Sequence, residues 1–484
     1  MSSNESSTLP ATSSATSPPL VVDLDGTLIY SDLLWEAMLL FMKQHFWKIW
    51  RLPFWLLRGK SGFKQQLALH IAFDPATLPY DQGLLATLAE QRQAGRRLVL
   101  ATGSQRRFAE QIASHTGLFD DVMATDDEGV NLTSHNKADA LTARYGPRGF
   151  DYIGNSPVDV PVWQASRQAY SVTMKPFALG GGTATTHMGT PRKPVMRALL
   201  KAMRPRQWLK NLLVFLPMLA GHALDLPTFL QSLLAFVAFS LCASSAYLLN
   251  DALDAHDDRL HPTKCKRPIA AGTLPLALAM ISSPLLALAA ILLCATFNPL
   301  LLAVVLVYFV ATLSYSFVLK RLLMIDIVTL ALLYTVRILG GAAATQIEPS
   351  FWLLAFSFFL FLSLALLKRY SELFNLKRQG KDKTSGRGYS VADKPAIGAM
   401  GINSGMLSVL IFMLYINSPN VQKLYPSQHW LLAVVPLLVY WLGRLWTLGF
   451  RGQVNEDPVL YVSKDAVSLV VIGLCILFVA GAAF

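Results

Sequence analysis

Four cysteines in 484 residues, none in a Cys-x-x-Cys pair, leave little for metal or disulfide chemistry. Cys242, Cys265, Cys294 and Cys475 lie far apart, three of them in apolar runs, so neither a zinc site nor a disulfide framework is supported. Isolated core-type cysteines are the plain reading. Charge is scarce as well: Asp, Glu, Lys and Arg make up 15% of the chain, against about 25% in an ordinary soluble domain. The first 19 residues, mostly Ser, Thr, Ala and Pro, lack the basic start and apolar centre of a secretory signal and read as a disordered tail. Acidic excess is also missing, the net charge being +12. Residues 1–190 hold 16 basic and 17 acidic residues, and residues 191–484 hold 26 and 13. The whole positive excess therefore sits in the apolar half. That excludes a nucleic-acid partner, whose basic face would be solvated, and fits a polytopic membrane protein with basic loops on one side.

What is present in the first half is a set of short apolar strands that end in polar groups. Pro-Leu-Val-Val leads to Asp23, Asp25, Gly26 and Thr27. Residues 98–104, Leu-Val-Leu-Ala-Thr-Gly-Ser, end in a hydroxyl, and residues 151–159 end in polar groups that include Asn155 and Asp159, with Lys137 between these two runs. Strands alternating with helical stretches predict a parallel α/β sheet, Rossmann-like. Its ligand crevice lies at the carboxyl ends of the strands, where all these groups fall. One carboxylate can attack phosphorus while a second protonates the leaving oxygen; a lysine and a hydroxyl hold phosphoryl oxygens, and Mg²⁺ takes further carboxylates.

The Asp-x-Asp-x-Thr opening with the three later motifs in order resembles the haloacid dehalogenase superfamily over about residues 20–172. The resemblance implies Asp23 as nucleophile, Asp25 as acid/base, Thr102 and Lys137 as phosphate holders, and Asp23, Asp25 and Asp159 around the metal. Asn155 stands where that superfamily usually has another aspartate, a change that weakens metal binding. The domain is expected over 20–176, with a helical cap over about 31–90. Within the cap, residues 33–57 mix Trp35, Phe41, Phe46, Trp47, Trp50, Phe54 and Trp55 with Lys43, Lys48 and Arg51. A cap buried on the core and a helix lying in a bilayer interface are both open.

Residues 177–195 are rich in Gly and Thr and read as a flexible linker, with the membrane domain from 196 to 484. Nine apolar runs approach the length needed to cross a bilayer: 208–224, 228–249, 274–296, 299–318, 322–345, 351–368, 398–416, 429–449 and 466–484. With the N-terminus inside, Arg259, Lys264, Lys266, Arg267, Lys320, Arg321 and the block Lys368 to Lys394 fall on the inner side, and the outer loops hold only Lys423. That is the distribution the positive-inside rule requires. The expected location is a multi-pass plasma (inner) membrane, N-terminal domain cytoplasmic.

The first inner loop between spans runs from Asn250 to Gly272. Asn250, Asp254 and Asp258 are spaced i, i+4, i+8, so on a continued helix they share one face. Stacked carboxylates repel unless a cation neutralises them; Mg²⁺ bridging a diphosphate does so, with Lys264 and Arg267 adding charge for the same anion. Asp326 and Arg337 lie in one predicted span, 11 residues apart. Charges at membrane depth line a pathway or pair, so Arg337 is a candidate for a lipid phosphate.

Asn-Asp-x-x-Asp-x-x-x-Asp resembles the motif of the UbiA superfamily of intramembrane prenyltransferases, the likeness covering about residues 200–484. Arg204 to Asn211 with Lys210, the His261 to Gly272 run, and Lys368-Arg369-Tyr370-Ser371-Glu372 look most like the members that transfer phosphoribose from phosphoribosyl diphosphate to a polyprenyl phosphate. A second Asp-x-x-x-Asp motif is missing: Tyr315 and Lys320 lead to Asp326, but position 330 is Leu330. The resemblance implies Asp254 and Asp258 as catalytic and Asn250, Asp254 and Asp258 as the metal face. It implies Lys210, Asn250, Lys264, Arg267, Tyr315, Lys320, Asp326, Arg337, Lys368 and Arg369 around the substrates, which are a polyprenyl phosphate or diphosphate and a phosphorylated small molecule. The cofactor implied is Mg²⁺. Prenyl transfer from a polyprenyl diphosphate to an aromatic or other small acceptor is the alternative reaction.

Overall fold

The computed structural model describes residues 17–57, 59–126, 131–180, 182–191, 194–382, 387–454 and 457–483. The N-terminal tail expected over 1–19 falls almost wholly outside them. The chain divides into two compact units, Met1–Ala202 with Asp251–Ile281, and Met203–Asn250 with Ser282–Phe484.

The first unit is built on a parallel sheet of six strands in the order β3-β2-β1-β4-β5-β8: β1 (Leu20–Val22), β2 (Leu98–Gln105), β3 (Asp121–Thr125), β4 (Asp151–Gly154), β5 (Ala169–Ser171) and β8 (Thr186–His187). The alternation along these strands decides the layers. Leu20, Val22, Leu98 and Leu100 face one core with Leu33, Phe41, Leu67, Leu84 and Ile112. Val21, Val99 and Ala101 face another with Leu141, Phe150 and Trp163. Helices cover both faces, as a parallel sheet demands: α1 (Leu33–Gln44), α2 (Arg51–Leu56), α3 (Gly59–His70), α4 (Gln82–Gln93), α5 (Arg106–Thr116), α6 (Ser134–Tyr145) and α7 (Val160–Ala165). Register places the polar strand ends together: Val22 is level with Leu100 and Ile153, so Asp23, Thr102 and Asn155 open on one edge.

Two expectations need revision here. The stretch 177–195 is not a plain linker: β6 (Ala178–Gly180) pairs with β7 (Thr183–Ala184), β8 extends the sheet, and α8 (Val195–Ala202) begins inside its end. The Thr190 hydroxyl donates to Asp81 at 2.6 Å, pinning the segment to the start of α4. The aromatic insertion is divided between the two readings. Phe41 and Trp55 are buried and pack at 5.0 Å between ring centres, whereas Trp50 and Phe54 are exposed.

The second unit is helical: α9 (Leu216–Ala220), α10 (Leu226–Leu253), α12 (Leu276–Ala295), α13 (Pro299–Phe317), α14 (Ile325–Thr345), α15 (Phe351–Arg378), α16 (Lys394–Ile416), α17 (Pro419–Leu424), α18 (His429–Phe450), α19 (Pro458–Val462) and α20 (Ala466–Ala483), with α11 (Ala255–Arg259) and the start of α12 lying in the first unit. Among the described residues eight helices are long and apolar enough to cross a membrane. Their outward faces carry exposed leucines, valines and isoleucines, such as Leu285, Leu288, Val307, Val310, Leu410 and Ile476, the pattern of a lipid-facing surface.

The ninth expected span, 208–224, is not among the eight. Pro205–Phe215 is a 3₁₀ helix of 11 residues, followed by the five-residue α9. Pro217 at the start of α9 removes one backbone donor. At about 2.0 Å per 3₁₀ residue and about 1.5 Å per α residue, the two pieces end to end reach about 30 Å, the thickness of a hydrocarbon core. What holds this geometry is α14: a Cβ on Gly341 would lie 1.9 Å from the Val214 carbonyl oxygen. Only glycine lets the two backbones approach so closely, and that approach fixes Lys210 and Asn211 beside α14.

Candidate functional site

In the first unit, strand-end groups and Lys137 of α6 converge on Asp23 and Asp25. The Lys137 ammonium donates to Asp23 Oδ1 at 2.6 Å and to the Tyr152 hydroxyl at 3.0 Å; Thr27 donates to Asp23 Oδ2 at 3.2 Å. Burial, with Asp159 and Asp25 close by, pushes the Asp23 carboxyl up to about 7 against the pull of Lys137. Asp25 accepts from Ser104 Oγ (2.7 Å), from Thr102 Oγ1 (3.2 Å) and, at its other oxygen, from the Leu33 amide at 2.8 Å. The first amide of α1 is thus held by the second aspartate of the motif. Gly26, at φ +72°, leaves room for Asn155, whose side-chain nitrogen would lie 2.2 Å from a Cβ there.

Two placements differ from expectation. The Thr102 hydroxyl is directed at Asp25 and takes the Ser104 amide at 3.0 Å, so it orients a carboxylate. Asp159 accepts from Tyr152 at 2.9 Å, from the Asn155 amide at 3.0 Å and from the Ser156 amide at 3.1 Å. Its oxygens shape the loop after β4. Thr27 was named only as part of its motif, and Ser104 and Tyr152 were missed as site residues; Ser104 closes a strand-end run already singled out, and Tyr152 lies one residue inside β4.

The aspartate loop also lies in this unit from Asp251 onward. The expected continuous helix breaks at Asp254, between α10 and α11, yet the Asp258 amide still donates to the Asp254 carbonyl at 2.8 Å, keeping the two carboxylates one turn apart. Asn250 belongs to the last turn of α10 in the second unit. The convergence observed is between Asp258 and Asp251: one Arg267 nitrogen donates to Asp258 at 2.6 Å and to Asp251 at 3.1 Å, and Lys264 stands 4.0 Å from Asp258. Burial raises the Asp258 carboxyl, with Arg267 and Lys264 pulling the other way. Asp251 was overlooked although it adjoins Asn250 in the motif. Arg259, next to Asp258, forms a buried pair with Glu36 of α1 at 2.6 Å.

Two hard carboxylates already sharing one cationic nitrogen suit Mg²⁺. Among the described residues no three His, Cys, Asp or Glu side chains surround a single point, so phosphate oxygens and water would complete such a shell, as is usual for this ion.

In the second unit Lys210, Lys368 and Asp457 form a second cluster. Both ammonium groups donate to the same Asp457 oxygen, at 2.6 and 3.1 Å, in a pocket also lined by Leu330, Tyr334, Leu364 and Val459. Burial opposes ionisation of Asp457, and Lys368 and Lys210 together outweigh it, holding the carboxyl well below its usual range. Asp457 was not foreseen; an Asp before a proline at a helix start signals only an N-cap, which it also is, for α19.

Three expected substrate groups are occupied internally. Arg337 does not pair with Asp326 and is enclosed by protein: it donates to Asn211 at 2.8 Å, to Tyr308 at 2.8 Å and to the Leu333 carbonyl. Asp326 is bound by Arg369 and the Tyr389 hydroxyl, and Arg369 also reaches Glu372. Arg337, Asp326 and Arg369, the groups expected at the substrates, are thus buried among protein partners. Tyr315 is half-buried near the end of α13 and Lys320 sits in the 3₁₀ turn after it.

With the geometry in place, the comparisons fall on the same two regions. The UbiA prenyltransferase family matches residues 212–464, and haloacid dehalogenase-like hydrolase matches 20–164. The chain is 33% identical over 458 residues (93% of this chain, 88% of the relative) to uncharacterized protein y4nM of Sinorhizobium fredii. It is 34% identical over 286 residues (57% and 90%) to nodulation protein NoeC of Azorhizobium caulinodans. It is 40% identical over 195 residues (39% and 61%) to decaprenyl-phosphate phosphoribosyltransferase of Mycolicibacterium smegmatis. The chain belongs to the UbiA prenyltransferase family, as a fusion with an N-terminal haloacid dehalogenase-like domain. It is a multi-pass membrane transferase, and both families generally use Mg²⁺.

Proposed function

We propose that the membrane domain transfers 5-phosphoribose from phosphoribosyl diphosphate to a polyprenyl phosphate, and that the N-terminal domain, on the cytoplasmic side, removes a phosphate from the lipid-linked product. The observation that carries this is the pair of lysines on one Asp457 oxygen. Two ammonium groups on one carboxylate leave a net positive seat beside apolar walls, which suits the phosphate of a lipid better than a diphosphate that needs a second carboxylate-held metal. The relation to the Mycolicibacterium smegmatis enzyme supports the same substrates.

In this reading an oxygen of the lipid phosphate, held by Lys210 and Lys368, attacks the anomeric carbon. The bond from that carbon to the diphosphate breaks, and diphosphate leaves with the electron pair. Lys264 and Arg267 hold its oxygens, and Asn250, Asp251, Asp254 and Asp258 would hold Mg²⁺, whose charge would offset that of the leaving group. Positioning and charge neutralisation do the work. In the N-terminal domain Asp23 attacks phosphorus to give an aspartyl phosphate, Asp25 protonates the leaving oxygen, and water then cleaves the acyl phosphate.

Purified protein in lipid, given Mg²⁺, labelled phosphoribosyl diphosphate and polyprenyl phosphate, should move label into the lipid phase; Lys210→Ala together with Lys368→Ala should raise KM for the polyprenyl phosphate by about tenfold or more. Label passing only from a polyprenyl diphosphate to an aromatic acceptor would establish prenyl transfer in its place.

The hydrolytic half has a pH signature. Asp23 is active as the anion, so its raised pKa makes phosphate monoester hydrolysis climb as pH rises through about 7. Lys137→Met removes the charge that holds this pKa down, so the acid limb should move upward by about one to three pH units. A pH–rate profile with an aryl phosphate measures it; a limb that stays in place or moves to lower pH counts against Asp23 as nucleophile.

A further inference from the structure

The divided aromatic insertion of the first unit is the motif that neither proposed reaction uses. Trp55 turns inward, its ring 5.0 Å from Phe41 and 4.9 Å from His70. Trp50, Phe54, Leu56 and Leu57 turn outward, with exposures of 62%, 61%, 61% and 84%, and Trp47 beside them is 88% exposed. Positions 47, 50, 54 and 57 follow helical spacing, so the outward side chains form one face of α2 and the turn before it. Lys48 and Arg51 flank that face, the Arg51 guanidinium lying over the Trp50 ring at 5.5 Å. Exposed apolar groups so close together mark an interaction surface.

We propose that this face is a membrane-surface anchor, seated in the headgroup region of an anionic bilayer. Composition separates a lipid surface from a protein partner. Protein interface cores are depleted of lysine, whereas tryptophan beside Lys and Arg is the signature of the bilayer interface. The aromatic rings enter the acyl boundary and the Lys48 and Arg51 stems lie along them with their charges in the headgroups. Among the described residues the same chain carries eight membrane-length helices, and tethering turns docking into an intramolecular event. The anchor holds the strand-end cleft at the height of lipid headgroups, where a lipid-linked phosphate is found; its presence does not depend on which reaction the membrane domain performs.

The test uses the full chain reconstituted in vesicles of phosphatidylethanolamine and phosphatidylglycerol containing a photoactivatable phosphatidylglycerol. After illumination and proteolysis, lipid adducts are mapped by mass spectrometry. Adducts should appear on the peptide spanning residues 46–57 as well as on the membrane helices. In the triple variant Trp50→Ser, Phe54→Ser, Leu57→Ser they should fall about fivefold or more on that peptide and be unchanged on the helices. Lys48→Glu with Arg51→Glu should halve them or more, as should vesicles of phosphatidylcholine alone carrying a photoactivatable phosphatidylcholine. Lys48, Trp50, Phe54 and Leu57 are exposed and Arg51 is half-buried with its contact to an exposed ring, so folding is preserved, and the unchanged helix adducts report it. Adducts confined to the helices, adducts indifferent to the triple variant, or crosslinks from this peptide to a second copy of the chain would each overturn the anchor.

Discussion

Asp258→Asn should lower label transfer by about 100- to 1000-fold, the range for losing one preorganised charged group, while leaving thermal stability within about 1 kcal/mol of the parent. The two halves of that expectation come from one arrangement. Asp258 and Asp251 share a single Arg267 nitrogen, so the parent carries two carboxylates against one guanidinium. Removing one charge leaves Arg267 still paired with Asp251 and abolishes a carboxyl whose ionisation burial opposes. Nothing in the fold is orphaned. On the proposed reading what is lost is one of three carboxylates for Mg²⁺, and an asparagine oxygen does not replace the charge that Mg²⁺ seeks. Transfer measured at increasing Mg²⁺ should recover only in part. Transfer at the parent rate at low Mg²⁺ would remove Asp258 from the metal face.

The strand-end cleft was legible because its geometry follows from local rules: an apolar strand that ends in polar residues must present them at the sheet edge, and parallel register brings Asp23, Thr102 and Asn155 to within one residue of the same level without any knowledge of packing. Eight of the nine spans were legible for a similar reason, since length and apolarity alone answer to a bilayer. The ninth was not, because the 3₁₀ course of Pro205–Phe215 depends on Gly341 lying against Val214, a contact 127 residues away that no local pattern announces. Partner choice among buried charges was hidden likewise. Asp326 and Arg337 share a helix and a face, yet each turns to another element: Asp326 to Arg369 of α15, Arg337 to Asn211 of the 3₁₀ segment. Asp457 was invisible for the same reason, its lysines lying 247 and 89 residues away. The two-residue strand β8 has too few side chains for any alternation, and exists only because β5 offers it an edge.

Arg369→Met should destabilise the membrane domain by about 3–5 kcal/mol, the cost of breaking a buried ion pair from one side, seen as a fall in the unfolding midpoint on the order of 10 °C in mild detergent. The side chains of Arg369 and Asp326 are both fully buried. Methionine fills much of the arginine volume, so the penalty is chiefly that of a carboxylate left in a low-dielectric interior with the Tyr389 hydroxyl as its remaining side-chain donor. The reverse change is milder: after Asp326→Asn the guanidinium keeps Glu372, which is partly solvent-exposed and also bound by Arg387. The double variant Asp326→Asn, Arg369→Met then removes both the orphan charge and its former partner and should recover at least half of the loss, so that the two changes are strongly non-additive. If the double variant melts as low as Arg369→Met alone, the loss is one of packing between α14 and α15 and not of charge. If Arg369→Met melts with the parent, the pair contributes no stability and is kept for another purpose, and a substrate role for Arg369 would have to be reconsidered against its burial.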